Sequence, residues 1–256
     1  MRRSAAEFAR WVRQVHEVPV DGPVDLERLV AACGGIVQEV AISGCSGVLL
    51  PLEGTFGIAV RESDSRRRKR FTVAHELGHF CIPSHKKSAV RCVSPETARD
   101  GTTRDSEREA NDFAAELLLP RSIVAPTIAQ GGIDVARAIQ LADRFDVSTV
   151  SAALRMCELT RERAAVLYHR DGRLRWGIRF GMPFGLPASG APPPGDTVAY
   201  DVASGRSGSA VGQEVELGQW LPLGDPERWG GVLLESSILL DSPGEILTVL
   251  WLAESA

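Results

Sequence analysis

Residues 75–79 read His-Glu-Leu-Gly-His, and this pentad restricts the fold more than any other stretch of the chain. Residues four apart on an α-helix lie one turn apart on the same side, so the two imidazoles converge only if the stretch is helical. Phe71, Val73, Ala74, Leu77 and Phe80 make the surroundings apolar, and the spacing predicts a helix over about Arg67–Cys81. Polar groups in such company need partners, and a divalent metal supplies one. In a chain with 5 histidines, chance yields only about 0.007 such pentads, so a pair of solvated surface histidines is the weaker reading. Neutral imidazoles suit zinc, with manganese as the alternative, and two of them leave room for a third ligand and a water. Glu76, turned about 100° round the axis, can face that water as a base without binding the ion. Gly78 suits a helix that another element must approach closely.

The rest of the chain reads as an α+β protein. Its 256 residues, 44% hydrophobic and 24% charged, exclude disordered, collagen-like and coiled-coil classes. Two helices near Ala5–Val15 and from Val24-Asp25 to Gly34-Gly35 precede three extended stretches, Ile36–Ile42, Gly47–Leu50 and Phe56–Val60. They predict a small antiparallel sheet beside the His75–His79 helix, a zincin-like core. A polar loop leads to a second helix over about Asp105–Leu119, ending before Pro120. Helical pieces occupy 126–162. From Ala164 the pattern turns β-rich: a hairpin about Asp171-Gly172, then strand-like stretches at Val198–Val202, Glu214–Leu217, Val232–Leu240 and Ile246–Leu252. The expected division is therefore 1–125, 126–162 and 163–256.

The third ligand has two candidates. His85 continues the pentad in the metzincin register, with Ile82 where that pattern has glycine. Glu107 lies on the second helix, where Asn111 shares its face and can orient a neighbouring histidine. Glu109 falls on the other side of that helix and ranks well below Glu107. Cys81, two residues past His79, reads as core, and Cys92 as a minor candidate for capping the metal.

The segment Arg70-Phe71-Thr72-Val73-Ala74-His75-Glu76-Leu77-Gly78-His79, with Glu107-x-x-Ala110-Asn111-x-Phe113-Ala114-Ala115-x-Leu117-Leu118-Leu119-Pro120, resembles the ImmA/IrrE family of bacterial and phage zinc peptidases over roughly residues 25–125. The resemblance implies that His75, His79 and Glu107 hold the metal and that Glu76 is the catalytic base. It implies proteolysis of a partner DNA-binding repressor of the Xre type, which would release stress-response or mobile-element genes. His85 and Tyr168 are candidates for stabilising the oxyanion, with a structural role the stronger expectation for each.

Other signals are weaker. Arg66-Arg67-Arg68-Lys69-Arg70 reads as a solvated helix start, or as a patch for an acidic substrate stretch or nucleic acid. Leu141–Arg155 resembles a helix-turn-helix with Asp146 at the turn, and Arg155 is the one strong partner for DNA on its second helix. Packing or repressor docking is the stronger expectation there, direct DNA binding the lesser. A regulator that binds DNA or a partner and keeps a structural metal is the alternative function. Residues 181–256 hold ten acidic residues against Arg206 and Arg228, a balance of −8 within a net −4. That tail is no surface for phosphates; it is a candidate for the GAF-like sensor domain of IrrE members or for a protein-interaction module. Five unpaired-looking cysteines read as reduced thiols. Glu7, Arg10 and Arg13 interrupt any signal peptide, and no apolar run spans a bilayer, so the expected location is cytoplasmic without membrane attachment.

Overall fold

The computed structural model describes residues 3–87, 101–182, 185–220 and 231–254. By its internal contacts the chain divides into two units. One is Met1–Ile123 with Asp143–Ser148, the other Val124–Ala142 with Thr149–Ala256.

The first unit opens with helix α1, Ala5–Val15, begun by a reciprocal cap in which Glu7 N–H donates to Ser4 Oγ and Ser4 N–H to Glu7 Oε2. Helix α2, Leu26–Ala32, starts at Asp25, whose carboxylate accepts from Arg28 N–H, and ends where Gly34 turns left-handed at φ 86°. Strands β1 (Gly35–Val40), β2 (Gly47–Leu52) and β3 (Thr55–Arg61) follow. Two long helices complete the frame, α3 (Arg66–Cys81) and α4 (Gly101–Leu118), with a 3₁₀ turn at Pro83–Lys87 after α3. Leu77, Phe113 and Leu117 are fully buried at the centre of this unit, with Ala9 and Val12 of α1 beside them.

The α+β class is as expected, but the small sheet is mixed, not wholly antiparallel. Its order is β1-β3-β2, with β2 antiparallel to β3 and β1 parallel to it. The chain reverses at each of two short connections, so its first and third strands point the same way. Because β3 takes the central place, it meets β1 in parallel. The buried run Phe56–Val60 suits that central place.

The second unit holds a five-stranded sheet, antiparallel throughout, of β4 (Arg163–Arg170), β5 (Arg173–Phe180), β6 (Ser209–Val215), β7 (Gly231–Leu239) and β8 (Glu245–Glu254) in the order β5-β4-β8-β7-β6. Asp171 and Gly172, at φ 53° and 67°, make the predicted hairpin turn. Helices α5 (Arg121–Gly131), α6 (Val135–Phe145) and α7 (Thr149–Leu159) precede the sheet. The stretch expected as a strand at Val198–Val202 is instead a helix, α8 (Val198–Ala203), and Leu217 opens the short helix α9 (Leu217–Trp220). Local capping decided the first case. Thr197 Oγ1 accepts from Tyr200 N–H, and the buried Glu235 carboxylate accepts from Ala199 N–H at 2.6 Å and Trp220 Nε1–H at 2.7 Å. Leu167, Leu174, Ala199, Trp220, Leu233 and Leu250 form the core that these two helices share with the sheet.

In the helix-turn-helix-like segment the side chains are engaged within the chain. Asp146 takes the left-handed turn position at φ 52°, which Asp tolerates better than most residues. Its carboxylate pairs with Arg66 at 2.7 Å, Arg70 at 3.2 Å and Arg67 at 3.7 Å, while Arg67 also meets Asp143 at 2.7 Å. Arg70 further donates to the Asp146 and Val24 carbonyls, and Lys69 pairs with Glu39. Four residues of the basic run thus meet acidic partners of their own chain, while Arg66 and Arg68 stay exposed, as a solvated helix start requires. On α7, Ala152, Ala153, Arg155, Met156, Cys157 and Leu159 are buried. Arg155, the expected DNA contact, is 5% exposed and pairs with Glu158 at 2.9 Å. The uniform reading of the cysteines as reduced thiols is also corrected: Cys33, Cys81 and Cys157 are free, but Cys45 is disulfide-bonded. Cys92 lies outside the described residues. No helix among the described residues is long and apolar enough to cross a membrane.

One buried group sets a pH response. His169 on β4 is 1% exposed, its Nδ1 has no hydrogen-bond partner among the described residues, and burial pushes its pKa from 6.5 down to about 4. The folded state therefore favours neutral imidazole. The group contributes nothing above about pH 6.5, where both states are neutral, and costs the fold stability as pH falls from about 6.5 to about 4, by about 3 kcal/mol at the lower end. Denaturant titrations across that range should show the decline, and His169→Leu should flatten it.

Candidate metal centre

Ser65 starts α3 by accepting Arg68 N–H at its hydroxyl, and the helix runs unbroken through the pentad to an extended Ile82. His75 and His79 accordingly lie on one side, with their Nε2 atoms 3.1 Å apart. From α4, Glu107 reaches the same point. Its Oε2 is 3.2 Å from His75 Nε2 and its Oε1 3.4 Å from His79 Nε2. His75, His79 and Glu107 are the metal-capable cluster among the described residues.

The spacing of these donors tests whether an ion fits. Four ligands placed tetrahedrally at about 2.1 Å from zinc stand about 3.4 Å from one another. The two Nε2 atoms stand 3.1 Å apart and each lies 3.2–3.4 Å from one of the two Glu107 oxygens, spacings near that edge length, and two imidazoles with one carboxylate are a donor set that zinc takes. The fourth corner is left to water or substrate.

What brings the two helices so close is the glycine in the pentad. A Cβ on Gly78 would stand 3.1–3.2 Å from the Phe113 side chain of α4, tighter than ordinary contact, as the sequence foresaw. Gly47 on β2 does the same on another side of α3. A Cβ there would fall 2.2 Å from Thr72 Cγ2 and 3.7 Å from Glu76 Cγ. Arg13 of α1 donates to the Leu117 carbonyl near the C-terminal end of α4, and Arg10 meets Glu116 at 3.6 Å.

The two carboxylates experience opposite fields. Glu76 is pushed up, chiefly by burial, although His75, His79 and a hydrogen bond from the Leu49 backbone act the other way. Burial also works to raise Glu107, but the hydrogen bonds and charges of His75 and His79 outweigh it and hold its pKa at about 2. A carboxylate poised to take a proton and another kept ionised for an ion are different tools. His75 is lowered by burial, yet Glu107, Glu76 and Asn111 together carry it above 6.5.

Outer partners orient the rings. Asn111 Oδ1 lies 2.9 Å from His75 Nδ1, so that nitrogen donates and Nε2 keeps its lone pair for the ion. His85 stands outside the cluster of His75, His79 and Glu107. The chain turns back at Ile82–His85, where His85 N–H donates to the Ile82 carbonyl at 3.0 Å. That single 3₁₀ turn carries the ring only as far as the outer nitrogen of His79, 3.1 Å between the two Nδ1 atoms. Its Nε2 meets Glu109 Oε2 at 2.8 Å. Glu109 escaped sequence reasoning because its helix position was judged against Glu107 alone; the signal available was a second acidic residue near the level of His85. Tyr168 stacks on Trp176 at 5.3 Å and bonds Glu245 in the second unit.

With this geometry in place, comparison with known proteins gives the class. Residues 50–156 match the family model of the Peptidase M78 group, described as the IrrE N-terminal-like domain. Over those residues the chain is similar to the IrrE N-terminal-like domain, in line with the resemblance that its motifs carry. No curated protein matches it. A solved structure of a Mycobacterium tuberculosis transcriptional regulator superposes with a TM-score of 0.65 at 14% identity, covering 97% of this chain and 87% of that one. At such identity the likeness is one of fold.

The close approach at Gly47 is testable. Gly47→Ala should cost about 1–3 kcal/mol in urea melts, and Thr72→Ser in the same chain, by removing Cγ2, should restore most of it.

Proposed function

We propose that this protein is a zinc-dependent endopeptidase that cleaves a partner transcriptional repressor of the Xre type and so derepresses stress-response or mobile-element genes. The observation that carries the reading is the convergence of His75, His79 and Glu107, with contacts of 3.1–3.4 Å between the two Nε2 atoms and the Glu107 oxygens, beside a half-buried, upward-shifted carboxyl at Glu76 that stands outside the cluster. A metal held for structure alone needs no such base.

In this reading His75, His79 and Glu107 hold the ion. Zinc, when bound, supplies Lewis acidity and lowers the pKa of a water to about 7. Glu76 takes a proton from the attacking water and passes it to the leaving amine. Its raised affinity for protons suits both transfers, and the Leu49 N–H keeps the carboxylate aimed. Asn111 holds His75 in the tautomer that presents Nε2. Manganese is the alternative metal. Catalysis belongs to residues 1–125, the helical segment 126–162 serves packing and repressor docking, and the acidic β-rich part 163–256 acts as an interaction or sensor-like module. The site of action is the cytoplasm, where a DNA-bound repressor is found.

The alternative, a DNA-binding regulator with a structural metal, is disfavoured by the buried Arg155 and by an α7 whose one exposed residue is the acidic Glu158. The neighbour titled a transcriptional regulator is compatible with either reading.

Zinc-loaded protein incubated with the repressor encoded beside it should produce a single cut. Glu76→Gln should abolish the cut while retaining one zinc per chain, and Glu107→Ala should lose the zinc as well. Intact repressor after prolonged incubation with the zinc-loaded wild type would refute the assignment.

A further inference from the structure

We propose that His85 and Glu109 are positioning residues that orient His79 through a carboxylate–histidine–histidine chain. The inference rests on the reading that His75, His79 and Glu107 hold a divalent ion. If His79 offers Nε2 to the ion, its proton sits on Nδ1 and must be donated outward. The atom that receives it is His85 Nδ1 at 3.1 Å, which is then unprotonated. His85 consequently carries its proton on Nε2 and donates it to Glu109 Oε2 at 2.8 Å. Each proton has one place, and the sequence of donors ends on a fixed negative charge.

The alternative for a buried histidine is simple packing. Two features count against it. The His85 side chain is 2% exposed and both of its ring nitrogens are engaged, an arrangement that costs order to build. Glu109, by contrast, is 45% exposed and could point into water at no loss. The two metal histidines are also braced unequally, His75 by the neutral amide of Asn111 and His79 by a chain ending in a carboxylate. An anionic end makes the imidazole a stronger donor and locks its ring plane, so His79 is the more firmly held ligand.

Full-length protein and its variants should be compared by zinc affinity in chelator competition and by the visible spectrum of the cobalt(II)-loaded form. His85→Ala should weaken zinc binding about 10- to 100-fold and alter the cobalt bands. His85→Asn, whose amide oxygen can accept the His79 proton, should recover much of that loss. Glu109→Gln, at a half-exposed site where folding is not at stake, should weaken binding several-fold and shift the bands in the same direction. Unchanged affinity and spectrum in Glu109→Gln would overturn the proposal, and so would His85→Asn behaving like His85→Ala. Glu107→Ala, which should empty the site, separates the two levels. If it retains zinc as the wild type does, or if the wild type takes up none, the metal reading falls and the positioning role falls with it.

Discussion

The structure of the first unit turns on one contact, the approach of α4 to α3 at Gly78. Two histidines on a single helix are only part of the metal-capable cluster. Glu107 comes from another helix more than twenty residues further along the chain, and α4 lies this close because Gly78 has no Cβ, which would stand only 3.1–3.2 Å from Phe113. Leu77 and Leu117 bury themselves in the same unit, so apolar burial, which is strong but not directional, holds in place a polar cluster that needs sub-ångström placement. The sheet contributes from the other side, where Gly47 lets β2 lie close to Thr72 and Glu76.

Burial also divides the labour among the carboxylates. Glu76 and Glu107 are both withdrawn from water, and what separates them is the company each keeps. Glu107 accepts from two imidazoles, which outweigh its desolvation. Glu76 has those imidazoles only as more distant charges and one backbone N–H, and desolvation prevails. The same logic, with an ion pair in place of a hydrogen bond, governs the start of α3. There Asp146 gathers Arg66, Arg67 and Arg70 at the solvated start of the helix.

Much of the candidate site was legible in advance. The period of the helix placed His75 with His79 and Glu107 with Asn111, and the glycine within the pentad announced a close neighbour. These inferences worked because they concern residues three or four apart, whose relative positions a helix dictates. What escaped has a common cause. The chain Glu109–His85–His79 joins three segments. The parallel pairing of β1 with β3 depends on which strand takes the centre. The helix at Val198–Ala203 depends on a cap, and on a carboxylate from Glu235, far along the chain. Arg155 is charged in the sequence but buried in the fold.

By itself, then, the sequence determined the α+β class, the helix carrying His75, Glu76 and His79, and the chemistry available to them, because each follows from local periodicity and side-chain type. Only the tertiary structure decided which glutamate meets the histidines and that His85 lies against the outer nitrogen of His79, outside the cluster. It likewise withdrew the helix-turn-helix-like arginine from any DNA surface. Those outcomes depend on distances between segments remote in the chain. Such distances are set by packing many apolar side chains at once, and no local pattern encodes them.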